Sequence, residues 1–160
     1  MSKFETNDEF MCGAIAGALS ALLICLLMEL LEVLCLIKHC WLFMAGNAVL
    51  HYEHGNIFHV VFGLLLHLGI GAFWGVIIAI LFSKVFTEKH YLLKSLVVST
   101  AIFFLHLGLL AKALNYPAKL RKDAVAMFFI FVSYLLYGGL TVYLLKKLSC
   151  QRSNDHDEAA

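Results

Sequence analysis

Four apolar stretches, each long enough to cross a lipid bilayer, take up most of this 160-residue chain and leave it few ways to fold. A helix rising ~1.5 Å per residue needs about 20 residues to cross hydrocarbon, so runs of that length read as spanning helices. Phe10 to Met28 has no charged residue, and apolar character continues around Glu29 and Glu32 to Ile37. Ile57 to Phe86 carries His59 and His67 before Lys84; Tyr91 to Leu114 holds Lys94, His106 and Lys112; Ala124 to Leu145 has no ionisable residue except tyrosines. Spans are therefore predicted at 10–37, 57–86, 91–114 and 124–145, in a single transmembrane domain over 1–148. With 62% hydrophobic and 14% charged residues, little is left over for a separate soluble domain. The predicted fold is all-α, an integral membrane four-helix transmembrane bundle in contact with the lipid bilayer.

A net charge of +1 points to neither nucleic acid nor a strongly acidic surface as partner. With the N-terminus cytoplasmic, that side collects Lys3, Lys84, Lys89, Lys94, Lys146, Lys147 and Arg152 against Lys38, Lys112, Lys119, Arg121 and Lys122 opposite, which favours both termini inside. Met1 to Glu9 lacks the positive start of a secretory signal, so the first apolar run reads as a retained span. Cysteines at 12, 25, 35, 40 and 150 include no Cys-x-x-Cys pair and do not indicate disulfides. Residues 39–56 mix Trp41, Phe43 and Tyr52 with polar groups and predict a short interfacial helix between spans one and two. Thr87-Glu88-Lys89-His90 is short enough to predict a tight antiparallel hairpin of spans two and three. The polar tail 149–160 is expected to be disordered.

Small residues mark where helices can approach. Gly13 and Gly17 form a small-xxx-small pair, and His59, Gly63, His67, Gly71 and Gly75 follow at four-residue steps. Each step drifts ~40° on a helix of 3.6 residues per turn, which predicts a ladder winding around the helix and not one flat face. Gly138 adjoins Tyr134, Tyr137 and Thr141 in the fourth span. These glycines read first as helix-packing positions.

The ionisable residues inside the spans carry whatever chemistry the chain has, because a titratable group in hydrocarbon is turned inward, paired or used. Cys25, Glu29 and Glu32 share one side of the first helix. Counted along the helices, Glu29 lies ~28 Å from Phe10, His106 ~22 Å from Tyr91, and His67 ~15 Å in from the opposite side. On depth alone Glu29, Glu32 and His106 share the outer half of the bundle, with His67 nearer the middle. Three readings stay open for this cluster: hydrogen bonds that hold helices in register; proton or ion handling by Glu29 and Glu32; or ligation of haem or a divalent metal by His67 and His106. His51 and His54, with Glu53 between, form a second candidate metal site in the connecting segment, although the His-Glu-x-x-His spacing of a zinc protease is missing. His59 falls with the same polar connection. No Ser/His/Asp arrangement, phosphate loop or dinucleotide fingerprint occurs, so no enzymatic activity and no cofactor are predicted.

Leu66-His67-Leu68-Gly69, Gly75-Val76-Ile77 and Tyr91-Leu92-Leu93-Lys94-Ser95-Leu96, with Ser133-Tyr134-Leu135-Leu136-Tyr137-Gly138 and Tyr143-Leu144-Leu145-Lys146-Lys147-Leu148, resemble small four-span membrane proteins of anaerobic, spore-forming bacteria. The resemblance covers spans two to four best and includes the Gly13/Gly17 start of span one. It implies a bacterial cytoplasmic membrane and carries no activity with it. It also implies that glutamine can stand at the position of His67, which favours hydrogen bonding there over ligation. The expectation is a non-enzymatic membrane protein, an accessory or assembly subunit acting through helix packing, as a homo-oligomer or with a membrane-protein partner.

Overall fold

The computed structural model describes residues 3–37, 46, 57–86, 89–110 and 123–157, with side chains over 9–37, 46, 57–86, 89–108 and 123–148. It is a helical bundle of α1 (Lys3–Val33), α2 (Ile57–Lys84), α3 (Tyr91–Phe104, continued by a π-helical segment Leu105–Leu110) and α4 (Ala124–Asp157). Each helix holds a stretch long and apolar enough to cross a membrane: Glu9–Val33, Ile57–Lys84, Tyr91–Gly108 and Ala124–Leu148, with mean hydropathies of 2.4, 2.3, 1.6 and 2.0. The interfacial helix expected between spans one and two lies outside the described residues.

Local signals set the helix ends. Apolar sequence runs to Ile37, yet α1 stops at Val33, because Cys35 turns left-handed (φ 58°). The Cys35 N–H donates to the Glu32 carbonyl (2.8 Å) and the Leu36 N–H to the Leu31 carbonyl (3.0 Å), the paired bonds of a Schellman ending. The first span is thus shorter than hydropathy suggests. At the other extreme, α4 starts on Asp123, whose Oδ1 accepts from the backbone N–H groups of Val125 and Ala126, both at 3.1 Å. The backbone of α4 continues as helix through Asp157.

The tightest packing joins α1 to α2. They run antiparallel: Ser83 Oγ donates to Glu9 Oε2 (3.2 Å) at the end carrying the N-terminus of α1, here the near end. Gly13 then meets Ala79 and Gly75, Gly17 meets Gly75 and Gly71, and Ala21 meets Gly71. A Cβ on Gly17 would lie 2.7 Å from the Gly75 Cα and strike the Gly71 carbonyl oxygen; one on Gly75 would lie 2.6 Å from the Gly17 Cα and strike the Gly13 carbonyl oxygen. Backbone meets backbone, so no side chain can move aside. The glycine ladder of α2 therefore stays against α1 instead of winding away. The reason is that α1 presents a ridge of the same four-residue step, and two such ridges interdigitate as the helices cross.

On the opposite flank α3 packs antiparallel on α4, with Gly138 seated against the Ser99 side chain and the Ser95 carbonyl. Helix α4 touches each of the other three, and α1 touches α2 and α4. The short link turns α2 into an antiparallel α3, as expected, but the two are not a closely packed pair; among the described residues they meet where the Trp74 ring stands against His106 and where Lys94 reaches over Phe86. The smooth faces that allow close approach belong to the pairs α1/α2 and α3/α4. The core between these pairs includes Ile24, Met28, Ile78, Ile102, Ile130 and Val142.

Replacing one hydrogen by one methyl group tests the ridge. Gly17→Ala and Gly75→Ala should each destabilise the bundle by about 1–3 kcal/mol, the usual cost of overpacking. Gly69→Ala, on the same helix as Gly75 but with nothing within 4 Å of its Cβ position, should leave thermal unfolding in detergent unchanged or slightly improved. Equal effects at Gly75 and Gly69 would remove the ridge as the cause.

Candidate functional site

The polar side chains inside the bundle fall into three groups. Hydroxyls form the first. Ser95, Ser99, Thr100, Ser133 and Thr141 donate to the carbonyls of Leu92, Ser95, Leu96, Ile130 and Tyr137, each within its own helix, at 2.7–2.8 Å. Back-bonding satisfies a hydroxyl in an apolar setting without a partner helix. Ser20, fully buried, is the exception, because its Oγ makes no hydrogen bond among the described residues.

The second group ties helices together at mid-bundle. His67 Nε2 lies 3.1 Å from the Ala21 carbonyl oxygen of α1; since a carbonyl only accepts, the imidazole carries its proton on Nε2 and donates. This reach across is possible because Gly17, Ala21, Gly71 and Gly75 bring the two backbones together. One turn along α2, the Tyr137 hydroxyl of α4 donates to the Gly71 carbonyl at 2.6 Å. Gly71 is thus the point where α1, α2 and α4 converge.

His106 completes this group from α3. Its Nδ1 shares a 2.8 Å hydrogen bond with the Tyr134 hydroxyl of α4, and its ring stands edge-on to Trp74 of α2 (centroids 5.8 Å, 76°) and to Tyr134 (5.8 Å, 71°). Phe103 packs edge-on against Tyr134 and Phe131, holding the phenol from the other side. His106 sits in the π-helical segment, where a widened turn re-aims side chains and which recurs at functional positions. Tyr134 and Tyr137 lie within one turn of α4, so His106, bonded to the first, sits at about the level of Gly71, bonded to the second, and of His67 one turn from it. Both already spend a ring nitrogen on a protein partner, His67 on Ala21 and His106 on Tyr134.

The glutamates form the third group, further out. Glu29 and Glu32 are half-buried near the far end of α1. Glu29 lies eight residues beyond Ala21, ~12 Å along the helix. The steps that pair Gly17 with Gly71 and Ala21 with His67 set Cys25 level with Gly63 and Glu29 level with His59. His59 is only 4% exposed, under the backbone of Gly46, where a Cβ would come within 2.7 Å of its ring. It belongs to the bundle's far end and not to a solvated connection. The four candidates Glu29, Glu32, His67 and His106 therefore occupy two levels, with the histidines together and the glutamates beyond them. His51 and His54 lie outside the described residues. Among the described residues no group of three or more His, Cys, Asp or Glu is arranged to hold a metal ion, and Cys12, Cys25 and Cys35 form no disulfide.

Sequence reasoning missed Trp74, and it noted Tyr134 and Tyr137 beside Gly138 without counting them among the site residues. Trp74 is seven residues from His67, two helical turns, so spacing alone places both on one side of α2. On the outward side of α2, Phe62, Leu65, Leu66, Gly69, Ile70 and Phe73 line an open, apolar cleft of about 350 Å³.

Comparison with protein-family models, with curated proteins and with solved structures finds no match. The class rests on the chain itself: a helical bundle with four helices able to span a membrane, which makes it a multi-pass membrane protein.

Tyr137→Phe removes the α4-to-α2 hydrogen bond and should cost about 0.6 kcal/mol, the average for bonds between membrane helices, and no more than about 1.7 kcal/mol. His67→Gln keeps a donor near Ala21 and should unfold closer to wild type than His67→Leu. Ser20→Ala deletes an unpaired hydroxyl and should be neutral or stabilising. All are read as thermal midpoints in one detergent.

Proposed function

We propose that the chain is a non-enzymatic integral membrane subunit that acts through helix packing, on a partner membrane protein or a second copy of itself. The observation that carries this reading is the use made of its polar residues. The mid-bundle histidines and tyrosines bridge helices, and the buried hydroxyls with bonds donate along their own helices. A bundle braced in this way is a scaffold. Its outward surface is apolar, with Phe58, Phe73, Phe104 and Phe128 each at least 60% exposed, and α2 carries an open cleft over Gly69. Lipid or another helix covers such a surface equally well on polarity, and shape selects between them. The lysine distribution and the resemblance to four-span proteins of spore-forming anaerobes support a bacterial cytoplasmic membrane with both termini inside.

Purification in a mild detergent, read by mass and absorbance together, tests the proposal. A defined oligomer or a stoichiometric co-purifying membrane protein is expected, with no haem band. A lone monomer overturns the assembly reading, and stoichiometric haem or metal replaces it with ligation.

A second reading is favoured by one feature, His106 in a π-helical turn sharing a hydrogen bond with Tyr134, with His67 at about the same level of the bundle, which suits proton handling. It predicts proton flux in proteoliposomes that falls in His106→Phe. Glu29 and Glu32 would then serve the far entrance, and Glu29→Gln should also slow the flux. No flux from the wild-type protein rejects this reading.

A further inference from the structure

Helix α2 carries glycine on two opposite sides, and its own bundle uses one of them. Gly71 and Gly75 are held by backbone contact with α1. Gly69 stands ~200° round the helix from Gly71, and a Cβ added to it would meet nothing within 4 Å among the described residues. Glycine is the poorest helix former after proline, so an outward one in mid-helix gains nothing from the bundle it belongs to. Helix α2 is also the least covered of the four spans: 22% of its apolar stretch is buried within the bundle, against 28% for α3 and 39% for α1 and α4.

The missing side chain leaves the open cleft described above, walled by Phe62, Leu65, Leu66, Ile70 and Phe73. With Gly69 these residues follow the steps i, i+3, i+4, i+7, i+8 and i+11, the row by which one helix faces another. All of them belong to α2, so the cleft is a notch in one helix surface and not a gap between packed helices. The row continues to Phe58 at one end and Ile80 at the other, 78% and 42% exposed. No Asp, Glu, Lys or Arg interrupts it between Ile57 and Ser83.

Shape and symmetry select the occupant. Lipid tails lie along any apolar row and gain nothing from a glycine. A second helix does gain, because over Gly69 its backbone comes close enough for Cα–H to carbonyl contacts while the flanking side chains interdigitate. Gly69 falls near the midpoint of Ile57–Lys84, which puts the notch near mid-membrane. Two copies inserted the same way are related by a two-fold axis along the membrane normal, so equal residues meet at equal depth and Gly69 faces Gly69. A crossing there needs a small residue at one level only, and symmetry supplies it on both sides. At ~200 Å² for a whole aromatic side chain and less for an aliphatic one, the exposed parts of this row come to on the order of 500 Å² per copy. Two copies then bury about 1,000 Å², the least that a specific interface needs.

We propose, resting on the assembly reading above, that the α2 face centred on Gly69 docks a second copy of this chain in a parallel two-fold dimer, with the two Gly69 residues at the crossing.

The full chain, labelled at its N-terminus with donor or acceptor dye, is reconstituted in liposomes over a range of protein-to-lipid ratios, and dimerisation is read by energy transfer. Gly69→Leu fills the notch from inside and should weaken association about tenfold or more, as overpacking of a seam does. Gly139→Leu adds the same bulk to α4, where a Cβ likewise meets nothing within 4 Å among the described residues, and should leave association unchanged. A common thermal midpoint for wild type and both variants, in a detergent that dissociates the dimer, is expected and shows that the loss at Gly69 is not unfolding. On illumination, p-benzoylphenylalanine in place of Phe73 should capture a second copy, and in place of Phe128 on α4 should not; both positions are exposed. Capture of lipid alone from position 73, or an equal loss of association in the two glycine variants, overturns the proposal. A dimer that Gly69→Leu leaves intact overturns this surface while the assembly reading survives, and so does a chain that stays monomeric in liposomes but co-purifies with a different membrane protein. A monomer at every ratio with no co-purifying protein defeats both.

Discussion

Close approach of two backbones, along Gly13, Gly17 and Ala21 of α1 and Gly71, Gly75 and Ala79 of α2, is the contact on which the other interactions depend. In lipid there is no hydrophobic gain from bringing helices together, since acyl chains are as apolar as leucine. Association must come from van der Waals packing and from hydrogen bonds, both of which require short distances. Glycine supplies the distance. Once the ridges interlock, the Ala21 carbonyl comes within reach of His67 and the Gly71 carbonyl within reach of Tyr137. Helix α4 is therefore keyed to a site that α1 and α2 create.

The same logic explains how polar residues are distributed. A hydroxyl can satisfy itself by bonding one turn back, and Ser95, Ser99, Ser133 and Thr141 do so, which frees their helices to pack as smooth rods. Imidazole and phenol groups are too long to bond back to their own turn and must reach a neighbour. They are found at the crossings, with His67 between α2 and α1, Tyr137 between α4 and α2, and His106 between α3 and α4. The bundle thus has a smooth pair, α1/α2, and a second pair, α3/α4, joined through α4.

Much of the fold was legible because span length and hydropathy are local properties. The candidate site was legible only in part. Counting residues placed Glu29 and His106 at similar depth, but depth is one coordinate; the helix register sets His67 and His106 at about one level and leaves Glu29 level with His59. His59 read as part of a polar connection because its neighbours in sequence are polar, whereas in space it is buried against Gly46. The four-residue ladder read as winding because it was considered on a lone helix. Against a partner with an equal ladder, the drift becomes a crossing angle and the contact persists.

From sequence alone followed the number of spans, their approximate limits, the small residues fit for packing and the short list of polar residues that lipid obliges to find partners. Tertiary structure alone decided which partner each takes, that α1 ends at a left-handed Cys35, and that α4 packs on α1 as well as on its chain neighbour α3. The reason is physical. The cost of a polar group in hydrocarbon depends on the residue and is written in composition, whereas the bond that relieves it depends on which carbonyl a glycine ridge exposes within 3 Å or so, and that is a property of two helices at once.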